Sequence, residues 1–125
     1  MLMIDRIIRL DHGRSAVGLK NVSSSDGALV GHFPGDPIYP GVHMIEAAAQ
    51  VCGIVLASGA ETAGLGYLAS VKRFKFSKIV RPGDQLEIFS TRKIDFAALS
   101  EFSVELKVER DVVASGSLAI AFEAR

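Results

Sequence analysis

Two residues able to exchange protons flank the start of one apolar segment: His32, in a loop rich in Gly and Pro, and Glu46, the only acid in the segment that follows. Ile45 and Ala47 flank Glu46, with Val42 and Gln50 one helical turn away on either side. A carboxyl in such surroundings is costly to ionise, so it must be paired, stay protonated, or work. A His base and a carboxylic acid together can take a proton from one atom and deliver one to another. Between them stands Gly41, at a helix start where backbone N–H groups lack intrahelical partners and the macrodipole is positive. An oxygen gaining negative charge would be stabilised there, and glycine lets a ligand approach the backbone closely. Each residue also admits a structural reading. Glu46 can be capped by loop N–H groups, His32 can be a core imidazole bonded to a carbonyl, and Pro40-Gly41 can simply make the turn into the helix.

The elements that must hold these residues follow from pattern. GHFPGDPIYPG, residues 31 to 41, packs three Pro and three Gly into eleven positions, which no regular element tolerates. VHMIEAAAQVCGIVLASG then runs as a helix to Gly59, a C-terminal stop. Its apolar residues lie all round the cylinder, which predicts a helix enclosed by the rest of the fold. Met3 to Leu10 and Ser15 to Val22, joined by Asp11-His12-Gly13-Arg14, read as a hairpin. Further strands are predicted at Tyr67 to Phe76, Gln85 to Ile94, Glu101 to Glu109 and Val112 to Phe122. In the third of these, Phe102, Val104, Leu106 and Val108 alternate with Ser103, Glu105, Lys107 and Glu109, so one face is buried and one is wet. About six strands and one long apolar helix predict an α+β domain in which an antiparallel sheet curls round the helix.

Composition narrows the function. With 125 residues and 49% hydrophobic content, a single domain over 1–125 is expected. Fourteen Lys+Arg balance fourteen Asp+Glu, with no block of like charge, so a nucleic-acid partner is not expected. Cys52 is the single cysteine, which excludes an intrachain disulfide and a cysteine zinc cluster and fits the cytoplasm. Neither a metal nor a cofactor is expected. Asp5 and Arg6 interrupt the N-terminal apolar run before a signal sequence can form. The longest uncharged run, Ala47 to Ala60, has fourteen residues, short of the ~20 a membrane span needs.

The segment GHFPGDPIYPGVHMIEAAAQ resembles the signature of the β-hydroxyacyl-(acyl carrier protein) dehydratases, the FabZ-like group of the hot-dog fold. The matching positions are His32-Phe33-Pro34-Gly35, Pro37, Pro40-Gly41-Val42, Glu46-Ala47 and Ala49-Gln50. The likeness continues in Ile4-Asp5-Arg6, Lys20-Asn21-Val22, Tyr67-Leu68-Ala69, Arg73-Phe74-Lys75-Phe76 and Val80 to Leu86. Glu at position 46 is similar to the FabZ-like enzymes, whereas the dehydratase-isomerases carry Asp there. The sequence departs from the pattern in lacking a His-Arg-Tyr-Pro-Phe stretch ahead of Asp5-Arg6, expected to shorten a dimer or tunnel edge. It departs again at His43, where an apolar residue is usual and a change of substrate is the expected consequence.

The resemblance implies a hot-dog homodimer, with a trimer of dimers left open, in which each site takes His from one subunit and Glu from the other. It implies dehydration of a (3R)-3-hydroxyacyl-(acyl carrier protein) to the trans-2-enoyl product, in fatty-acid or related polyketide or aryl-polyene biosynthesis. His32 would take the α-proton, Glu46 would help the β-hydroxyl leave, the Gly41 N–H would polarise the thioester carbonyl, and Gln50 would orient Glu46. Val42, Tyr67, Phe74 and Phe76 are expected along an acyl tunnel, with Tyr67 as a gate or else an interface or core residue, and with Phe74, Phe76 and Phe89 as walls or else ordinary core. Arg73, Lys75, Lys78 and Arg81 are expected to meet the acidic carrier protein, although such a cluster is also an ordinary solvated face. Competing readings are another hot-dog thioester enzyme, such as a thioesterase or enoyl-CoA hydratase, and a non-catalytic acyl-binding partner of an active paralogue.

Overall fold

In the computed structural model the described residues are 2–23, 38–59, 64–96 and 98–124. The elements run β1 Arg6–Asp11, β2 Ser15–Asn21, α1 Gly41–Gly59, β3 Gly64–Phe76, β4 Gln85–Phe96, β5 Leu99–Val108 and β6 Asp111–Ala124. The six strands form one antiparallel sheet in the order β1-β2-β4-β5-β6-β3. α1 falls between β2 and β3 in the chain and packs against the sheet, and β3 forms the edge opposite β1.

The period-two pattern explains the sheet. Leu86, Ile88 and Ser90 of β4, Phe102, Val104 and Leu106 of β5, and Ala114, Leu118 and Ile120 of β6 are buried on the face toward α1. Burying each large side chain contributes on the order of 1.5–3 kcal/mol, enough to fix the register, because a one-residue slip would put every one of them in water. The alternation read in β5 holds, although Val108 at its end is only half-buried. The break expected between β5 and β6 is a two-residue turn at Glu109 and Arg110, both with positive φ (50° and 79°), the backbone that matches a hairpin's twist. β1 is shorter at its start than the sequence pattern suggests. Met3 and Ile4 are buried but lie ahead of the strand, where the Asp5 N–H donates to Leu19 O at 2.8 Å.

α1 has nineteen residues and buries Met44, Ala47, Ala48, Val51, Cys52, Val55 and Leu56 among the strands. It ends at Gly59 because the chain there passes against the β1–β2 turn: a Cβ on Gly59 would stand 2.7 Å from Gly13 Cα. Ser58 Oγ accepts from the Gly13 N–H at 3.0 Å and locks the same junction. By length and composition α1 is apolar enough to cross a bilayer, with a mean hydropathy of 1.4. Its packing within the sheet accounts for that composition.

One expectation about α1 is corrected. The sequence predicts a helix enclosed by the rest of the fold, whereas among the described residues one lengthwise face is left uncovered, running through Val42, Glu46, half-buried Gln50 and Gly53, and Ala57. Val42 is 70% exposed, Glu46 is exposed, and a Cβ built on Gly53 would meet nothing within 4 Å. Periodicity registers how many faces are apolar and cannot say whether the chain's own sheet or something else covers them.

Candidate active site

The helix start is positioned from both sides. The Tyr39 N–H donates to Val80 O at 2.7 Å, fixing the end of the Gly/Pro loop to the segment after β3. Pro40 O then accepts from the His43 and Met44 N–H groups at 3.1 and 3.3 Å, closing the first turn. Gly41 and Val42 precede these donors, so their N–H groups point out of the helix N-terminus, where the dipole favours negative charge. Glycine at 41 lets the Phe76 ring sit close against the helix start: a Cβ there would lie 2.8 Å from Phe76 Cζ, and the ring would have to shift.

Beside this helix start opens an apolar cavity of about 390 Å³, bordered by Tyr39, Gly41, Val42, Ile45, Phe76 and Lys78. Glu46 follows Ile45 and emerges on the uncovered face, one turn beyond Val42. The Gln50 Nε2 donates to Glu46 Oε1 at 3.5 Å, across the i,i+4 spacing of one helix face. The Gln50 Oε1 accepts from the Met3 N–H at 2.7 Å. The apolar slot and the helix N-terminus thus lie side by side, while Glu46 and its polar neighbour Gln50 do not border the slot and follow it along the exposed face of α1. The enclosed apolar surroundings that the sequence suggests for Glu46 are not found in the single chain, where the residue is exposed.

Of the tunnel residues named from sequence, Val42 and Phe76 border the cavity. Phe74 is half-buried, its ring 5.3 Å from that of Phe76 and tilted 41° to it, and it packs on Gly116 and the core without bordering the cavity. Tyr67 lies on β3, 55% exposed and away from the cavity lining. Phe89 is corrected: it alternates with buried Ile88 and Ser90, which puts it on the outer face with Lys107 Nζ 4.8 Å above its ring. His43 sits beside the Tyr39 ring, 5.9 Å between centroids. His32, with residues 24–37, lies outside the described residues.

The basic residues Arg73, Lys75, Lys78 and Arg81 are exposed along the end of β3 and the segment after it. Arg73 has φ 52°, at a bulge where the β3–β6 register shifts. Lys78 pairs with Asp111 at 3.0 Å while bordering the cavity mouth. Sequence reasoning missed the hydrophobic wall from Ile38, Ile79 and Val80, which lies outside any strand or helix and so carries no periodic signal.

The fold and this helix-end site define a class: a hot-dog domain built around an acid on its central helix. The family model of the FabA-like domain matches residues 1–117. A 3-hydroxyacyl-[acyl-carrier-protein] dehydratase FabZ from Caldicellulosiruptor saccharolyticus is 37% identical over 124 residues, covering 98% of this chain and 88% of that protein. A FabZ from Caldanaerobacter subterraneus subsp. tengcongensis is 51% identical over 86 residues, 68% of this chain but only 61% of its own length. Among solved structures, the dehydratase heterocomplex ApeI:P from Xenorhabdus doucetiae superposes with a TM-score of 0.79 at 21% identity, over 98% of this chain and 84% of that one, a likeness of fold. The chain belongs to the FabA-like domain family and, within it, to the FabZ 3-hydroxyacyl-(acyl carrier protein) dehydratases.

Proposed function

We propose that the protein removes water from a (3R)-3-hydroxyacyl chain held as a thioester on an acyl carrier protein, giving the trans-2-enoyl thioester. The observation that carries the reading is the apolar cavity bordered by Gly41 and Val42 at the start of α1, with Glu46 one helical turn beyond Val42. The acyl chain lies in the slot with its carbonyl oxygen toward the Gly41 N–H, where charge grows as the α-proton leaves. His32 takes that proton. Glu46, held by Gln50, gives a proton to the departing β-hydroxyl, which leaves as water. The carrier protein is the acidic partner, with Arg73, Lys75, Lys78 and Arg81 as the basic rim it meets.

The working unit in this reading is a homodimer in the cytoplasm. Two features support the dimer. β3, thirteen residues long, is a sheet edge, and a long edge invites pairing with another copy. The uncovered face of α1 leaves Glu46 open to a residue arriving from elsewhere, as a partner's His32 would.

The test is incubation with carrier-bound 3-hydroxyacyl chains, read by mass spectrometry for loss of water. The same spectra would display hydrolysis if the protein were a thioesterase. His32→Ala and Glu46→Gln should each lower turnover by about 10²–10⁴-fold, the usual contribution of a general acid or base. Mixing the two inactive variants should restore activity through hybrid dimers with one intact site. Near-normal turnover by either variant, or no recovery after confirmed subunit exchange, would remove the assigned roles.

A further inference from the structure

The Met3 N–H reaches Gln50 Oε1 at 2.7 Å, a short contact between residues 47 apart in sequence. An amide side chain has one accepting and one donating end, and its neighbours decide which way it faces. With Oε1 taken by a backbone donor, the Nε2 group must point the other way, and it points at Glu46 Oε1, 3.5 Å off. Turned end for end, the amide would set N–H against N–H at Met3 and oxygen against a carboxylate at Glu46. Both errors would arise together.

The Met3 N–H is itself held in place. Met3 and Ile4 are buried, the Asp5 N–H donates to Leu19 O at 2.8 Å, and Asp5 Oδ2 accepts from the Asn21 N–H at 2.6 Å. The chain ahead of β1 is thus tied to β2 on one side and to α1 on the other. The Asp5 of Ile4-Asp5-Arg6 acquires a physical use as one of those ties.

We propose that the Met3 backbone N–H is a positioning group for the reaction, setting the Gln50 amide so that it always donates to Oε1 of Glu46. It rests on the reading of Glu46 as the group that protonates the leaving hydroxyl. Oε1 can accept that hydrogen bond whether the carboxyl is ionised or protonated, so the proton is directed to Oε2. The acid then presents its proton from one oxygen in one orientation, instead of dividing it between two.

The test is a double-mutant cycle with Met3→Pro, which removes the N–H, and Gln50→Ala, which removes its acceptor. Each single variant should lower kcat by about tenfold, the order that one lost hydrogen bond can account for, with KM changed less than about twofold. The double variant should be no slower than the worse single one, because both break the same chain of contacts. Multiplying effects, or unchanged kcat in Met3→Pro, would overturn the proposal.

A second measurement needs no turnover and stands even if Met3→Pro fails to fold. By NMR, the Met3 amide should be protected from hydrogen exchange in the unaltered protein and lose about tenfold or more of that protection in Gln50→Ala. An amide that exchanges equally fast in both overturns the proposal. If instead Glu46→Gln keeps turnover while Met3 protection behaves as expected, the dehydratase assignment of Glu46 fails and the positioning contact remains.

Discussion

A methyl group added at Gly41 would stand 2.8 Å from Phe76 Cζ, 2.9 Å from Cε1 and 3.2 Å from Cε2, where ordinary contact begins near 3.4 Å. The ring must therefore retreat by about 0.6 Å, and it can, because Phe76 is 48% exposed and only its far edge is involved. Retreat costs little packing, and Ala is the better helix residue by up to ~1 kcal/mol, less in the first turn. Gly41→Ala should thus change stability by no more than about 1 kcal/mol, a shift of roughly 3–6 °C in Tm for a domain of this size. The site should fare worse. Phe76 and Gly41 both border the apolar cavity proposed to take the acyl chain, and displacing a reacting carbonyl by about 1 Å can cost on the order of 10²-fold. A loss of about 10–100-fold in kcat/KM on the carrier-bound substrate is expected, measured beside a thermal melt. Adding Phe76→Ala to the same variant should recover part of the loss, since the obstructing ring is gone. Wild-type kcat/KM in Gly41→Ala would show that no substrate approaches the helix start there. A loss untouched by Phe76→Ala would refute the route through the ring.

Gly116→Ala should be severe for a different reason: its Cβ would meet Phe74 Cδ2 at 2.5 Å and Phe74 Cα at 2.8 Å, and backbone cannot swing aside. A loss of about 1–3 kcal/mol is expected in chemical denaturation, and an unchanged midpoint would contradict it. Burial pushes the Cys52 thiol up to about 12 from its ordinary 9.0, against the weaker opposing effect of Ser90 Oγ at 2.8 Å. Between those values the unfolded chain has lost the proton that the folded chain keeps. Stability should therefore fall as pH rises above 9, by up to ~1.4 kcal/mol per unit from this group. Cys52→Ala should show a shallower alkaline loss in matched denaturation series, and equal slopes would count against a buried neutral thiol.

β4 and β5 are readable because each buries one face. Phe102, Val104 and Leu106 alternate with polar residues in a register that only one pairing satisfies. The β5–β6 turn was harder to place, since Glu109 and Arg110 adopt positive φ without the Gly or Asn that usually announces it. An aromatic ring suggests a wall or core residue, yet the position of Phe89 between buried Ile88 and Ser90 turns it outward. The Met3–Gln50–Glu46 chain was legible only in part. Helical spacing links Gln50 to Glu46, but nothing local links Met3 to Gln50.

The elements and the helix with its Gly59 stop are written in the sequence, because they depend on periodicity and backbone freedom, and the sequence also carries His32, Gly41 and Glu46 in the motif by which the chain resembles its family. Tertiary structure alone decided which apolar residues line a cavity and which fill the core. It set Phe76 against Gly41 and Phe74 against Gly116, and it carried Tyr67 away from the cavity. It also decided that α1 keeps an uncovered face bearing Glu46. The physical reason is that burial is a property of surfaces brought together across the sheet, and neighbours along the chain do not record which surfaces those are.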